Sequence, residues 1–250
     1  MGEWSAGAAE RTAVYEDAGL REIDEGSIRP GGAALTLRAL ALSGLPPGSR
    51  VLDVGCGMGA AVRRLTEHCG LRAFGVDPSE ALLRDGRGRF GRLPVARGAG
   101  ESLPFGDGVM DGEIAECSLS VAEDAERVLA ECFRVLKPGG RLLASDVYAR
   151  KPDGAREAAT LPFECCLAGA VSEEAWLARV RGAGFEPEVW EDHSRALKEF
   201  AARLVFAYGS LEAFWSRFGR AAESPEIVRE VQCAVAAARP GYFLMVARKP

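Results

Sequence analysis

The segment VLDVGCGMG at 51–59 runs an apolar strand into Gly55, Gly57 and Gly59 and then opens a helix. Glycines at such a bend let a ligand approach the backbone, because no Cβ stands in the way. Glycines alone discriminate poorly, since Gly55-x-Gly57-x-x-Ala60 also satisfies the relaxed dinucleotide fingerprint. Asp53 discriminates. A carboxylate two residues ahead of the first glycine would repel a pyrophosphate and favours a cationic ligand group. Asp77 closes the next strand, 22 residues after Gly55, the usual distance for a carboxylate that binds the two hydroxyls of a ribose.

One ligand that carries ribose, adenine and an amino-acid ammonium fits both acids, and that ligand is S-adenosylmethionine. Two cysteines stand where an acceptor would meet it. Cys117 ends the fourth expected strand, and Cys166 opens Cys166-Leu167-Ala168-Gly169-Ala170 after the fifth. Thiolates are soft ligands that suit metalloids; the alternative is that both cysteines pack as small hydrophobes beside the cofactor. In an extended segment the adjacent Cys165 points the other way. An acceptor attacking through carbon, oxygen or nitrogen would want a base, for which Glu116, Asp146, Tyr148 and His193 are the candidates. Arg29-Pro30-Gly31-Gly32 reads as a helix-entry loop or as a cover for the methionine carboxylate, and His68 as a solvated side chain.

These residues need a scaffold that brings distant strand ends together. Strand-like and helix-like patterns alternate from residue 32 to 192, the mark of a parallel sheet with helices on both faces. Strands are expected at 50–54, 72–77, 93–98, 111–117, 141–147 and 185–191, and a last one at 241–248 on the edge beside the sixth. Amphipathic spacing predicts helices at 59–69 and 122–136, and Ser172 caps another at 172–182. Residues 194–239 form two or three helices, with Leu197, Phe200, Leu204 and Phe206 among their apolar residues, serving as an added layer, a lid or a dimer surface. Residues 1–31 read as a flap or partly mobile segment, and 32–250 as one domain that includes the helical insertion.

Composition excludes several classes. With 31 Lys+Arg against 36 Asp+Glu the net charge is −5, without the basic footprint of a nucleic-acid binder. Arg84, Arg87, Arg89, Arg92 and Arg97 read as a solvated face. No apolar run reaches the ~18 residues of a membrane span, and residues 1–20 lack the apolar core of a secretory signal. Seven cysteines in no framework spacing suit free thiols in the cytoplasm, and nothing resembles a zinc site. The oligomeric state is not encoded in these patterns.

VLDVGCGMG at 51–59, GVDPS at 75–79, GAGESLPF at 98–105 and ECFRVLKPGGRLLASDV at 131–147 resemble the successive motifs of class I S-adenosylmethionine-dependent methyltransferases of the type-11 group. The resemblance implies a doubly wound, seven-stranded, mostly parallel sheet of order 3-2-1-4-5-7-6 with the last strand antiparallel. It implies Asp53, Gly55, Cys56, Gly57 and Gly59 around the methionine part, Asp77 and Pro78 at the ribose, Gly100 and Glu101 beside the adenine, and Glu116 among the cofactor contacts. One departure stands out: where related sequences read GDAE, this chain has Gly98-Ala99-Gly100-Glu101, so Glu101 or a backbone carbonyl must receive the adenine amino group. Cys117 in AECSLS and CLAGA at 166–170 resemble the stretches of arsenite methyltransferases whose cysteines hold trivalent arsenic. The function implied is methyl transfer to a small molecule such as thiol-bound arsenic. The alternatives are a small organic acceptor of quinone-precursor type, or a non-catalytic module that binds the cofactor.

Overall fold

The computed structural model describes residues 14–151, 153–161, 165–218 and 224–250. Its strands are β1 (Arg50–Val54), β2 (Arg72–Asp77), β3 (Val95–Arg97), β4 (Met110–Glu116), β5 (Leu136–Ala149), the two-residue β6 (Val171–Ser172), β7 (Glu186–Asp192) and β8 (Pro240–Arg248). They form one sheet of order β3-β2-β1-β4-β5-β8-β7, with β6 pairing β5 off this path. That is the expected path, with the last two strands renumbered by the short β6. β1, β2, β3, β4 and β5 run parallel, and β8 runs antiparallel to both neighbours.

The strand pattern alone put the last strand on the edge, whereas the order implied by the family resemblance put it inside, and the structure agrees with the latter. β8 lies between β5 and β7, and β7 takes the edge. The side chains of β8 explain it: Tyr242, Leu244 and Val246 pack on one face of the sheet and Phe243, Met245 and Ala247 on the other, all without exposure. A strand apolar on both faces belongs inside a sheet, whereas β7 alternates half-buried and exposed residues.

The helices are α1 (Ala18–Glu22), α2 (Gly32–Ser43), α3 (Ala60–His68), α4 (Glu80–Phe90), α5 (Ala125–Val135), α6 (Gly154–Ala158), α7 (Glu173–Gly182), α8 (Ser194–Tyr208), α9 (Leu211–Trp215) and α10 (Pro225–Ala238). Local chemistry sets their starts. Ser79 Oγ accepts from Leu82 N, Asp124 from Arg127 N and Ser172 Oγ from Ala175 N, each satisfying a backbone donor that the first turn leaves open. α5 therefore begins at Ala125, three residues later than the amphipathic pattern suggested.

Two apolar layers sandwich the sheet. On one face Leu129, Cys132, Trp176 and Val180 cover Leu52, Leu142 and Phe243. On the other Leu35, Ala39, Val62 and Leu65 cover Val51, Ile114 and Leu244. A third cluster joins Val14 and Leu20 to Leu204, Phe214, Trp215, Phe218, Val228 and Val231. The 194–239 insertion is thus a further layer packed against the start of the described chain. Phe206 does not join it and stands 94% exposed. Two residues beyond the buried Leu204 on one helix, it faces nearly opposite.

Residues 14–31 are packed rather than loose: Asp17 caps α1 and accepts from Tyr208 Oη at 2.6 Å and Arg217 Nη2 at 2.7 Å. The rest of the expected flap, residues 1–13, lies outside the described residues. Among the described residues no helix is long and apolar enough to cross a membrane.

Candidate active site

β1, β2 and β4 end on the same edge of the sheet, and a cavity of about 880 Å3 opens there, within the range of roughly 300–1,000 Å3 found for small-molecule sites. Asp53, Gly55, Cys56, Gly57, Pro78, Asp77, Gly100, Glu101, Glu116 and Cys117 all line it. The bend after β1 is built on left-handed glycines, with φ of 82° at Gly55, 54° at Gly57 and 84° at Gly59. Gly55 and Cys56 donate to Val76 O at 2.8 and 3.1 Å, tying the bend to the end of β2. A Cβ on Gly55 would stand 2.5 Å from Ser118 Cβ, so the bend and the segment after β4 approach more closely than any other residue type allows. Gly59 packs on Leu93 and carries the chain into α3.

Asp77 accepts from Gly57 N at 2.7 Å and from Ser79 N at 2.8 Å. Burial nevertheless raises its pKa to about 6, against the pull of those two backbone donors. Glu16 accepts from Ser79 Oγ at 2.6 Å, an anchor of the N-terminal segment that the sequence reading missed. Only a side chain 63 residues away identifies it.

Asp53 and Glu116 form the opposite end of the cavity, with Arg29 buried between the strand ends and α2. Arg29 Nη2 lies 2.6 Å from Glu116 Oε2, its Nη1 donates to Gly32 O at 2.6 Å, and Thr36 Oγ1 donates to Glu116 at 3.0 Å. Burial is the largest cause that raises Asp53 well above the usual carboxylate range, and the Glu116 charge adds to it. Glu116 is raised as well, chiefly by burial and against the attraction of Arg29. Arg29 is thus part of the site and more than a helix-entry residue.

At the adenine end Glu101 has a different task from the one its sequence neighbourhood suggested. Its Oε1 accepts from Glu123 N at 3.1 Å and Asp124 N at 3.5 Å, and its carbonyl accepts from Arg127 Nε. The carboxylate holds the loop that leads into α5. Ala99, Gly100 and Val128 line the same end.

Cys117 and Cys166, 49 residues apart, meet. Cys166 is near enough to be the largest cause, ahead of burial, that raises the Cys117 pKa well above its ordinary value; Cys117 lines the cavity and Cys166 lies outside its lining. Cys117 takes φ 53°, its N–H bonds Ser145 O at 2.8 Å, and its Sγ stands 3.2 Å from Tyr242 Oη. Tyr15 Oη accepts from Cys166 N at 3.0 Å on the cavity side. Gly169 permits the meeting, because a Cβ there would overlap the Ser120 carbonyl. Cys165 points away into the α8–α10 cluster.

The other base candidates lie elsewhere. Tyr148 donates to Asp192 Oδ2 at 2.6 Å, His193 pairs with Glu191 at 2.9 Å, and Asp146 accepts from Ser120 N at 3.0 Å; none of the three lines the cavity. Of the four, only Glu116 does. Among the described residues no group of three or more His, Cys, Asp or Glu is placed to hold a metal ion.

The residues present fit S-adenosylmethionine. Two buried carboxylates with one guanidinium suit a methionine end that carries ammonium, carboxylate and sulfonium, the Asp77 corner suits a ribose, and the glycine bend leaves the room a side chain would fill. Sheet and cleft together have the architecture of the class I S-adenosylmethionine-dependent methyltransferase fold. Residues 52–144 match the family described as Methyltransferase domain.

Relatives agree on the class and differ in acceptor. The chain is 28% identical over 239 residues to the 27-O-demethylrifamycin SV methyltransferase of Amycolatopsis mediterranei, a match covering 86% of this chain and 83% of that one. It is 33% identical over 171 residues to the arsenite methyltransferase of Aquipseudomonas alcaligenes, covering 62% and 49%. It spans about half the length of the curated relatives it matches at a third identity. The crystal structure of the [4+2]-cyclase SpnF superposes with a TM-score of 0.75 at 24% identity, over 98% of this chain and 96% of that one, a likeness of fold.

Proposed function

We propose that this protein transfers the methyl group of S-adenosylmethionine to a soft trivalent centre held by Cys117 and Cys166, with arsenite as the type of acceptor. The observation that carries the reading is that Cys117 lines the cavity with Cys166 close enough to shift its titration. It is supported by the arsenite methyltransferase among the relatives.

Neutral thiols suffice for this step. Arsenite enters as an uncharged trihydroxide, and at each cysteine an S–As bond forms while an As–O bond breaks, the thiol hydrogen leaving with the hydroxyl as water. No general base is required, which agrees with Glu116 being committed to Arg29 and Thr36. When bound, the cofactor supplies an electrophilic methyl on a sulfonium. The chain's part is to hold arsenic with its lone pair free and in line, since alignment supplies much of the rate in such transfers. Asp77 would hold the ribose and Asp53 the ammonium.

A second reading, O-methylation of an organic acceptor, has the Amycolatopsis relative in its favour, which matches over most of both chains. One assay separates the two: S-adenosylhomocysteine release with arsenite and reduced glutathione, with hydroquinols, and with phenols. Arsenite-dependent release that falls at least tenfold in Cys117→Ser and in Cys166→Ser is expected. Release with a phenol or hydroquinol but not with arsenite would replace the metalloid reading by the organic one.

A further inference from the structure

The methionine end of the cavity can be treated as a charge ledger. Asp53 is 3% exposed, Glu116 9% and Arg29 7%, so their charges act with little screening by water. They come from three separate elements, β1, β4 and the segment before α2, and all line one cavity. The remaining groups around them are Thr36, which donates to Glu116; Asp77, which is in Coulombic reach of Asp53; and Cys56, Cys117 and Tyr242, whose ionisation burial opposes in each case. Asp77 is occupied by two backbone donors at its own corner. Two carboxylates and one guanidinium therefore leave one negative charge.

S-adenosylmethionine brings an ammonium, a carboxylate and a sulfonium, one net positive charge. S-adenosylhomocysteine lacks the sulfonium and is net neutral. We propose that Asp53, Glu116 and Arg29 act as a charge sensor that grips the methyl donor in preference to its demethylated product, and that a proton on Asp53 makes up the deficit whenever the product is bound. Loss of the positive charge at the moment of transfer then loosens the product and speeds turnover. Burial favours the neutral form of Asp53 in the absence of a cation, so the proton is in place before binding and leaves when a cation enters. The proposal rests on the cofactor assignment and is independent of the acceptor.

The sign of the pH dependence follows. The donor complex gives up the proton that the free site holds on Asp53, so its affinity rises with pH, by up to tenfold per pH unit for one proton, whereas the product complex keeps that proton and its affinity is level.

Titration calorimetry at pH 5.5, 6.5, 7.5 and 8.5 tests this with S-adenosylmethionine, S-adenosylhomocysteine and sinefungin, in which a protonated amine replaces the sulfonium. At pH 8.5 the two cationic ligands should bind at least tenfold more tightly than the product, and the gap should close toward pH 5.5. Runs in two buffers of different ionisation enthalpy should show about one proton released with the donor and none with the product. Glu116→Gln, which removes one negative charge at nearly constant shape, should abolish the preference, and Asp53→Asn should abolish the difference in proton uptake. Equal affinities and equal proton uptake for all three ligands would overturn the charge sensor and leave the cofactor assignment standing. Failure of all three to bind would overturn both.

Discussion

At the residue scale the acceptor pair depends on a missing side chain. Gly169 lies against the Ser120 carbonyl, and this contact seats the 166–170 loop on the segment after β4. Gly169→Ala must push the two apart. We expect the variant to keep its affinity for S-adenosylhomocysteine within a factor of about two, because the cofactor contacts lie on other loops. Its spectroscopic titration with arsenite should weaken at least tenfold. An arsenite titration identical to wild type would show that the loop contact does not set the thiol pair. Cys117 carries a related constraint, with its φ of 53° in the region that favours glycine. Such a conformation costs of order 1–3 kcal/mol and tends to collect at functional sites.

At the element scale the segment before α2 ties three parts of the protein together through consecutive residues. Tyr15 bonds Cys166, Glu16 bonds Ser79 two residues after Asp77, and Asp17 bonds Tyr208 and Arg217 of α8 and the segment after α9. Asp17 also accepts from Gly19 N and Leu20 N as the cap of α1. Burial pushes its pKa up, but the Tyr208 and Arg217 hydrogen bonds outweigh it and hold the carboxyl below its ordinary value. Asp17→Ala removes all of these bonds, with a cap alone contributing about 1 kcal/mol. The expected result is faster limited proteolysis between residues 14 and 31 and weaker cofactor binding, with β-sheet circular dichroism unchanged. Proteolysis at the wild-type rate would mean that Tyr15 and Glu16 anchor the segment without it.

At the scale of the whole molecule, burial of acids makes stability depend on pH. Glu113 sits in β4 between Leu52 and Leu142 of the flanking strands, with no exposure and the Cys132 thiol beside its carboxyl. Burial raises its pKa well above the ordinary value of 4.5. A raised pKa in the folded state gives stability that is full below the unfolded value and is lost as pH rises toward the folded one. The slope for one proton is about 1.4 kcal/mol per pH unit. Wild type should therefore lose stability between pH 5 and pH 8, and Glu113→Gln should lose less over the same span in urea unfolding. Parallel curves for the two proteins would show that Glu113 is not the proton holder.

The sequence by itself pointed to S-adenosylmethionine. Asp53, the glycine bend and Asp77 lie within 25 residues on adjoining elements, and local geometry forces them to one edge of a parallel sheet. Amphipathic spacing and caps likewise marked most helices, because both depend on near neighbours. Tertiary structure decided what rests on distant partners. It turned Phe206 to solvent, gave Glu101 a loop to hold, and brought Arg29 to Glu116 across 87 residues. It also joined Cys117 to Cys166, an encounter that no spacing encodes, because it depends on the fit of two loops at one missing Cβ.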